Sequence, residues 1–315
     1  MNPAFSVIML TTASGAGYGM LFWLGVLDAA GAMPAARWFG VVAVLIALAL
    51  ATAGLLASTL HLGHPERAWR AVSQWRTSWL SREGIVSLVT YLPALIFAAA
   101  WGLGGPRGVA TVVPGLLAAL CAMLTVACQA MIYASLKPVR QWHNRFVPPN
   151  FLLLALFSGA ACLAATTTFW QVRSGRIVAG VAVVSCIVAT VAKIAYWRTI
   201  DRAPPVATIE SATGLGTLGP VRELEAPHTE ENYLLREMGY AIARKHGERL
   251  RGIALAVGFA LPAILLILGL ALGNPGALVM FPLAAVAALL GVYVERWLFF
   301  AQATHTVTLY YGRAA

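Results

Sequence analysis

Apolar residues along this chain come in long, nearly unbroken runs, rather than in the alternation of a half-buried strand or the narrow stripe of a surface helix. Eight runs approach or reach the ~20 residues that a bilayer core asks of a helix. They cover residues 5–27, 38–60, 84–104, 112–135, 149–170, 178–197, 252–272 and 277–300. The pattern predicts an all-α integral membrane protein, a single domain over residues 1–315 with eight transmembrane helices. Trp38, Trp79, Trp101, Trp170, Trp197 and Trp297 fall at or near run ends, where an aromatic belt meets the headgroups. The first run has no Lys or Arg ahead of it and is longer than the apolar core of a signal peptide, so it is read as a retained helix.

Composition removes the soluble alternative. Length alone would suggest two soluble domains, but 60% of the residues are hydrophobic and 11% charged, with a mean hydropathy of +0.77. Soluble chains carry about 45–50% apolar and about 25% charged residues. The four cysteines, Cys121, Cys128, Cys162 and Cys186, lie inside apolar runs without CxxC spacing and are expected to act as small hydrophobes. They offer no thiolate cluster for an iron–sulfur centre.

The basic excess, 22 Lys and Arg against 12 Asp and Glu, sits almost entirely between the runs, which argues against nucleic acid as a partner. An even number of spans places both termini on one side, together with connections 61–83, 136–148 and 198–251. That side collects 16 Lys and Arg, and the other has 4: Arg37, Arg107, Arg173 and Arg176. The positive-inside rule then puts both termini in the cytoplasm. The long 198–251 connection begins with a Pro- and Gly-containing stretch. It ends in residues 232–251, where Leu234, Leu235, Met238, Ala241, Ile242 and Leu250 oppose Arg236, Glu237, Arg244, Lys245 and Glu248. That spacing predicts an amphipathic surface helix before the seventh span.

Candidate chemistry concentrates between the second and third runs, in His61-Leu-Gly-His-Pro-Glu-Arg67 followed by Ser81-Arg-Glu83-Gly. His61 ends one span and Glu83 begins the next, so both stand at one depth on the positive side. An imidazole and a carboxyl at the headgroup boundary suit proton-coupled quinone chemistry, because a quinol sheds two protons with its electrons. Arg67 is placed to hold Glu83 ionised or to hydrogen-bond a quinone carbonyl. The same residues also suit an ordinary charged loop at a helix cap, and the pattern alone leaves both open. Lys193 and the Glu295-Arg296 pair lie near the positive ends of spans six and eight, as secondary candidates whose alternatives are snorkelling or a local ion pair. Haem would need axial histidines facing each other across the bundle, and His61 and His64 adjoin one end of one helix. Gly15-Ala-Gly-Tyr-Gly19 lies mid-membrane with no strand ahead of it, so it predicts a close helix contact rather than a dinucleotide loop.

The opening Asn2-Pro-Ala-Phe-Ser-Val-Ile, the Gly15–Gly19 stretch, the His61-Leu-Gly-His-Pro block and Ser81-Arg-Glu83 resemble the dimethyl sulfoxide reductase anchor subunit family over essentially the whole chain. The resemblance implies a haem-free bacterial inner-membrane anchor for a molybdopterin catalytic subunit and an iron–sulfur electron-transfer subunit. It implies electron exchange with membrane quinone (ubiquinone or menaquinone), with His61, Gly63, Arg67 and Glu83 at the quinone site. Pro227-His-Thr-Glu-Glu-Asn and Glu237-Met-Gly-Tyr-Ala-Ile-Ala-Arg-Lys-His246 resemble the branch that anchors cytoplasmic sulfite dehydrogenases. With the charge bias, this favours sulfite oxidation on the cytoplasmic face over sulfoxide reduction. The alternatives are a purely structural anchor whose partner binds quinone, and a small-solute transporter, for which only Pro93 and Pro262 speak.

Overall fold

The computed structural model describes residues 2–60, 62–104, 108–205, 207–222, 224–225, 238 and 246–311. Its eight long helices are α1 (Phe5–Ala29), α2 (Arg37–Thr59), α3 (Trp79–Gly104), α4 (Val109–Ala134), α5 (Val147–Trp170), α6 (Val172–Arg202), α7 (Gly247–Ala271) and α8 (Gly273–Ala301). All eight are long and apolar enough to cross a membrane. Among the described residues no strand forms beyond an isolated bridge between Val139 and His305.

Several helices outrun the apolar runs that predict them. α3 starts at Trp79, so Glu83 sits in its second turn, and the Ser78 hydroxyl accepts the Ser81 N–H at 3.4 Å at its entrance. α6 continues to Arg202, where the Arg140 guanidinium donates to the Ile200 carbonyl at 3.2 Å and satisfies an end carbonyl. α7 absorbs residues 247–251. The rest of the expected amphipathic helix, residues 232–237 and 239–245, lies outside the described residues, as does His61.

α1 and α5 form the centre: 78% and 72% of their apolar windows are buried, against 33–44% in the other six helices. Small residues allow this. A Cβ on Gly19 would collide with the Ala155 carbonyl, one on Gly159 would collide with the Gly19 backbone, and one on Gly17 would lie 2.7 Å from the Ala51 amide. The Gly15–Gly19 stretch thus lets α1 lie against α5 on one side and α2 on another. Rows such as Leu88, Leu92 and Ile96 on α3, or Leu116, Leu120 and Leu124 on α4, are exposed. An apolar surface of that extent suits lipid rather than water.

Two helices carry π-helical turns, at Leu10–Ser14 in α1 and Ala256–Ala260 in α7. The second precedes Pro262, whose missing N–H a regular ladder could not use. At the positive end the connections are knitted together. Gln141 donates to the Thr304 hydroxyl at 2.9 Å, Thr306 N–H reaches the Pro138 carbonyl at 3.1 Å, and Tyr310 Oη donates to the Ala212 carbonyl at 3.0 Å. His305 accepts the Val307 N–H through Nδ1 at 3.0 Å, and partial burial holds its pKa below the usual imidazole value.

Candidate functional site

The Pro65–Val72 connection is a 3₁₀ helix docked on the first turns of α3. Ser81 donates its hydroxyl to the Ala71 carbonyl, and a Cβ on Gly84 would stand 3.2 Å from a Val72 methyl. Arg82 ties down the following turn by donating to the carbonyls of Trp75 at 2.9 Å and Arg76 at 2.7 Å. Its guanidinium lies 4.3 Å above the Trp79 ring. The connection is thereby held as a roof over the ends of α1, α2, α3 and α4.

Beneath that roof lies a cleft of about 360 Å³. Val7, Leu10, Leu55, Leu80 and Ile132 make its apolar walls, and Glu83, Gln129 and Tyr133 are among its polar lining. Glu83 is 4% exposed. Its carboxylate Oε1 accepts the Gln129 side-chain amide at 2.9 Å, and the same amide nitrogen stands 3.3 Å from the Ser14 hydroxyl. Ser14 closes the π-helical turn of α1, so the irregular turn lies beside the carboxyl group, as π-bulges often do at functional sites.

His64 and Arg67 also line the cleft, but as exposed rim residues. Arg67 Nε is 3.7 Å from Glu66, and His64 Nδ1 is 3.0 Å from the same carboxylate oxygen. The structure therefore gives Arg67 to Glu66, and the hydrogen-bond partner of Glu83 is the neutral Gln129. Gly63 is exposed and does not line the cleft, and a Cβ there would meet nothing within 4 Å. Of the four residues singled out in the sequence, the structure brings Arg67 and Glu83 to one cleft. Gln129, Ser14 and Tyr133 were not anticipated. An amide at membrane depth in an apolar run is itself a functional signal, and Gln129 carries it.

The secondary candidates form a separate cluster. Lys193 and Glu295 make an ion pair, and Arg296 Nε stands 3.6 Å from the other Glu295 oxygen. Exposure is 1%, 0% and 1% for Lys193, Glu295 and Arg296, so none of the three snorkels. Lys193 Nζ lies 4.3 Å over Tyr196, and the Arg296 guanidinium lies 3.7 Å over Phe151. Cation–π contacts of this kind help desolvated cations by about 2 kcal/mol.

The cleft can hold a flat apolar molecule against its walls while a carboxyl and an amide meet one polar edge. Its volume is within the ~300–1,000 Å³ range of small-molecule sites. Fold and cleft together define a class: multi-helix membrane proteins in which a buried carboxyl lines an apolar cleft near one end of the bundle. The chain belongs to the DMSO reductase anchor subunit (DmsC) family, which matches residues 1–302. It is similar to a sulfite dehydrogenase subunit from Allochromatium vinosum, at 35% identity over 331 aligned positions covering all of both chains.

Proposed function

We propose that this chain anchors a sulfite-oxidising complex, made with a molybdopterin catalytic subunit and an iron–sulfur electron-transfer subunit, to the bacterial inner membrane. It exchanges that complex's electrons with membrane quinone. Family membership and the name of the Allochromatium relative support the anchor and sulfite parts of this reading. The quinone part rests on one observation, a buried carboxyl with a neutral partner lining an apolar cleft. The 16-to-4 charge bias supports cytoplasmic termini, with the partner subunits on that face.

The overall reaction balances as sulfite, water and quinone giving sulfate and quinol. Two electrons leave sulfur in the catalytic partner and two protons are taken up with them at the cleft. Val7, Leu10, Leu55, Leu80 and Ile132 bind the ring and exclude water. Gln129 orients the Glu83 carboxyl, which hands a proton to the nearer quinone oxygen and is reprotonated from the His64–Glu66–Arg67 rim. His61, which follows α2 in the sequence, is assigned the second proton exchange, and Arg67 supports the rim.

Gentle solubilisation of native membranes, purification on this chain, and assay of molybdenum, iron and sulfite:quinone activity test the proposal. The expected result is both metals, two larger subunits and turnover with sulfite. A chain that purifies alone and free of metal from active membranes would contradict the anchor role, and turnover with sulfoxide only would reverse the direction of electron flow.

A further inference from the structure

Lys193, Glu295 and Arg296 take no part in the chemistry assigned to the cleft, yet all three are fully buried. Stability does not explain them, because buried ion pairs are often no better than well-packed apolar residues of similar size. Ionisable groups at membrane depth more often serve a function. The cluster is also unbalanced, with two cations facing one carboxylate. The neighbouring Arg251, bonded to Asp201 at 2.7 and 3.0 Å, is neutralised by its own partner. One positive charge is left over.

Arg296 carries that surplus. Its contact with Glu295 is a loose 3.6 Å, and its Nε and Nη1 find no hydrogen-bond acceptor among the described residues. Beyond it lies a gap too narrow for water, which Arg296 shares with Thr11, Thr12, Ser158 and Gln129. Gln129 is the same side chain that donates to Glu83 in the cleft. Tyr133 bridges the two regions in a second way. It lines the cleft and stacks at 5.7 Å on Phe151, the ring over which the Arg296 guanidinium lies. Gln129 and Tyr133 therefore form a wall common to cleft and cluster, in a protein interior that screens charge less than bulk water does.

We propose that the Lys193–Glu295–Arg296 cluster is an electrostatic backing for the cleft, with Arg296 a positioning residue whose surplus charge favours anionic quinone-type ligands and negative charge arising on a quinone oxygen. This rests on the quinone reading of the cleft. A cluster that merely clamps α6 to α8 would be indifferent to the sign of the ligand's charge, whereas a field is not. A unit charge ~10 Å away, at an effective dielectric constant of ~20, changes anion affinity on the order of tenfold.

The test uses the intact complex and two probes: neutral 1,4-naphthoquinone, and 2-hydroxy-1,4-naphthoquinone, an anion at neutral pH. Dissociation constants are measured for the wild type, Arg296→Gln, Arg296→Lys and Glu295→Gln. Arg296→Gln should weaken the anionic probe about tenfold and leave the neutral one nearly unchanged, and Arg296→Lys should restore it. Glu295→Gln, which leaves two unopposed cations, should tighten the anionic probe. Parallel weakening of both probes, or an anionic probe indifferent to both charges, overturns the proposal. If Arg296→Gln does not assemble, the sign of the Glu295→Gln effect decides alone, and anything but tightening overturns it. Failure of both probes to bind the wild type overturns the quinone reading of the cleft instead, and the backing role falls with it.

Discussion

Glu83 and Glu295 are the same residue type near the same end of the bundle, and both are buried, at 4% and 0% exposure. Their surroundings differ in every other respect. Glu83 meets a neutral amide and lines a cleft. Glu295 meets Lys193 and Arg296, and that cluster is enclosed by Phe151, Tyr196, Trp197 and Phe299. Burial is thus no guide to a carboxyl's work. A neutral partner and an open approach let a group take and release a proton, whereas cationic partners and an aromatic enclosure hold a charge in place.

Substitutions at the two places should fail differently. Glu83→Gln keeps the shape and the hydrogen-bonding capacity but removes the exchangeable proton. Sulfite:quinone turnover should fall at least ~100-fold, the lower end of what general acid–base groups supply. Molybdenum and iron content of the purified complex should stay at the wild-type level. Lys193→Met should do the reverse, leaving Glu295 with only the loose Arg296 contact. Breaking a buried pair costs about 3–5 kcal/mol, read as a lowered unfolding temperature in detergent, and adding Glu295→Met should not recover it, because Arg296 would then be buried without a counter-ion. If the single substitution leaves thermal stability unchanged, the ion pair does not clamp α6 to α8.

Smaller effects sharpen the contrast. Gln129→Leu removes the hydrogen bond that orients Glu83 and leaves a buried carboxyl oxygen unsatisfied, a loss of about 1–3 kcal/mol. Turnover should drop roughly tenfold or more, with little change in thermal stability beyond that of a buried polar-to-apolar exchange. Arg67→Ala removes an exposed ion pair with Glu66, worth about 0–1 kcal/mol. It should change stability by less than that and alter the apparent quinone KM by no more than a few-fold. A collapse of turnover in Arg67→Ala would show that Arg67 itself contributes directly to catalysis, beyond supporting the rim.

The eight spans were legible because hydrocarbon asks for unbroken apolar length, and the sequence meets that demand eight times. Their ends were less so. Trp79–Glu83, residues 172–177, 198–202 and 247–251 are helical although polar side chains interrupt them, because outside the hydrocarbon a helix no longer needs apolar residues. Glu83 stood out as a carboxyl at the edge of an apolar run. Its partner Gln129 is 46 positions away, and only the packing of α3 on α4 brings the two together. The π-helical turn at Leu10–Ser14 has no mark in the hydrophobic pattern, since Leu-Thr-Thr-Ala-Ser reads as ordinary helix. For Lys193 and Glu295, pattern alone could not choose between snorkelling and pairing, because the choice depends on which helices neighbour each other.

A hydrophobic carbodiimide reacts with protonated carboxyl groups in apolar surroundings, so it reads both places in one sample. The complex would be treated with and without saturating quinone, digested, and mapped by mass spectrometry. Modification is expected at Glu83 and not at Glu295, with loss of the Glu83 adduct when quinone is present. Equal labelling of Glu83 with and without quinone would contradict the claim that this cleft is where quinone meets the chain.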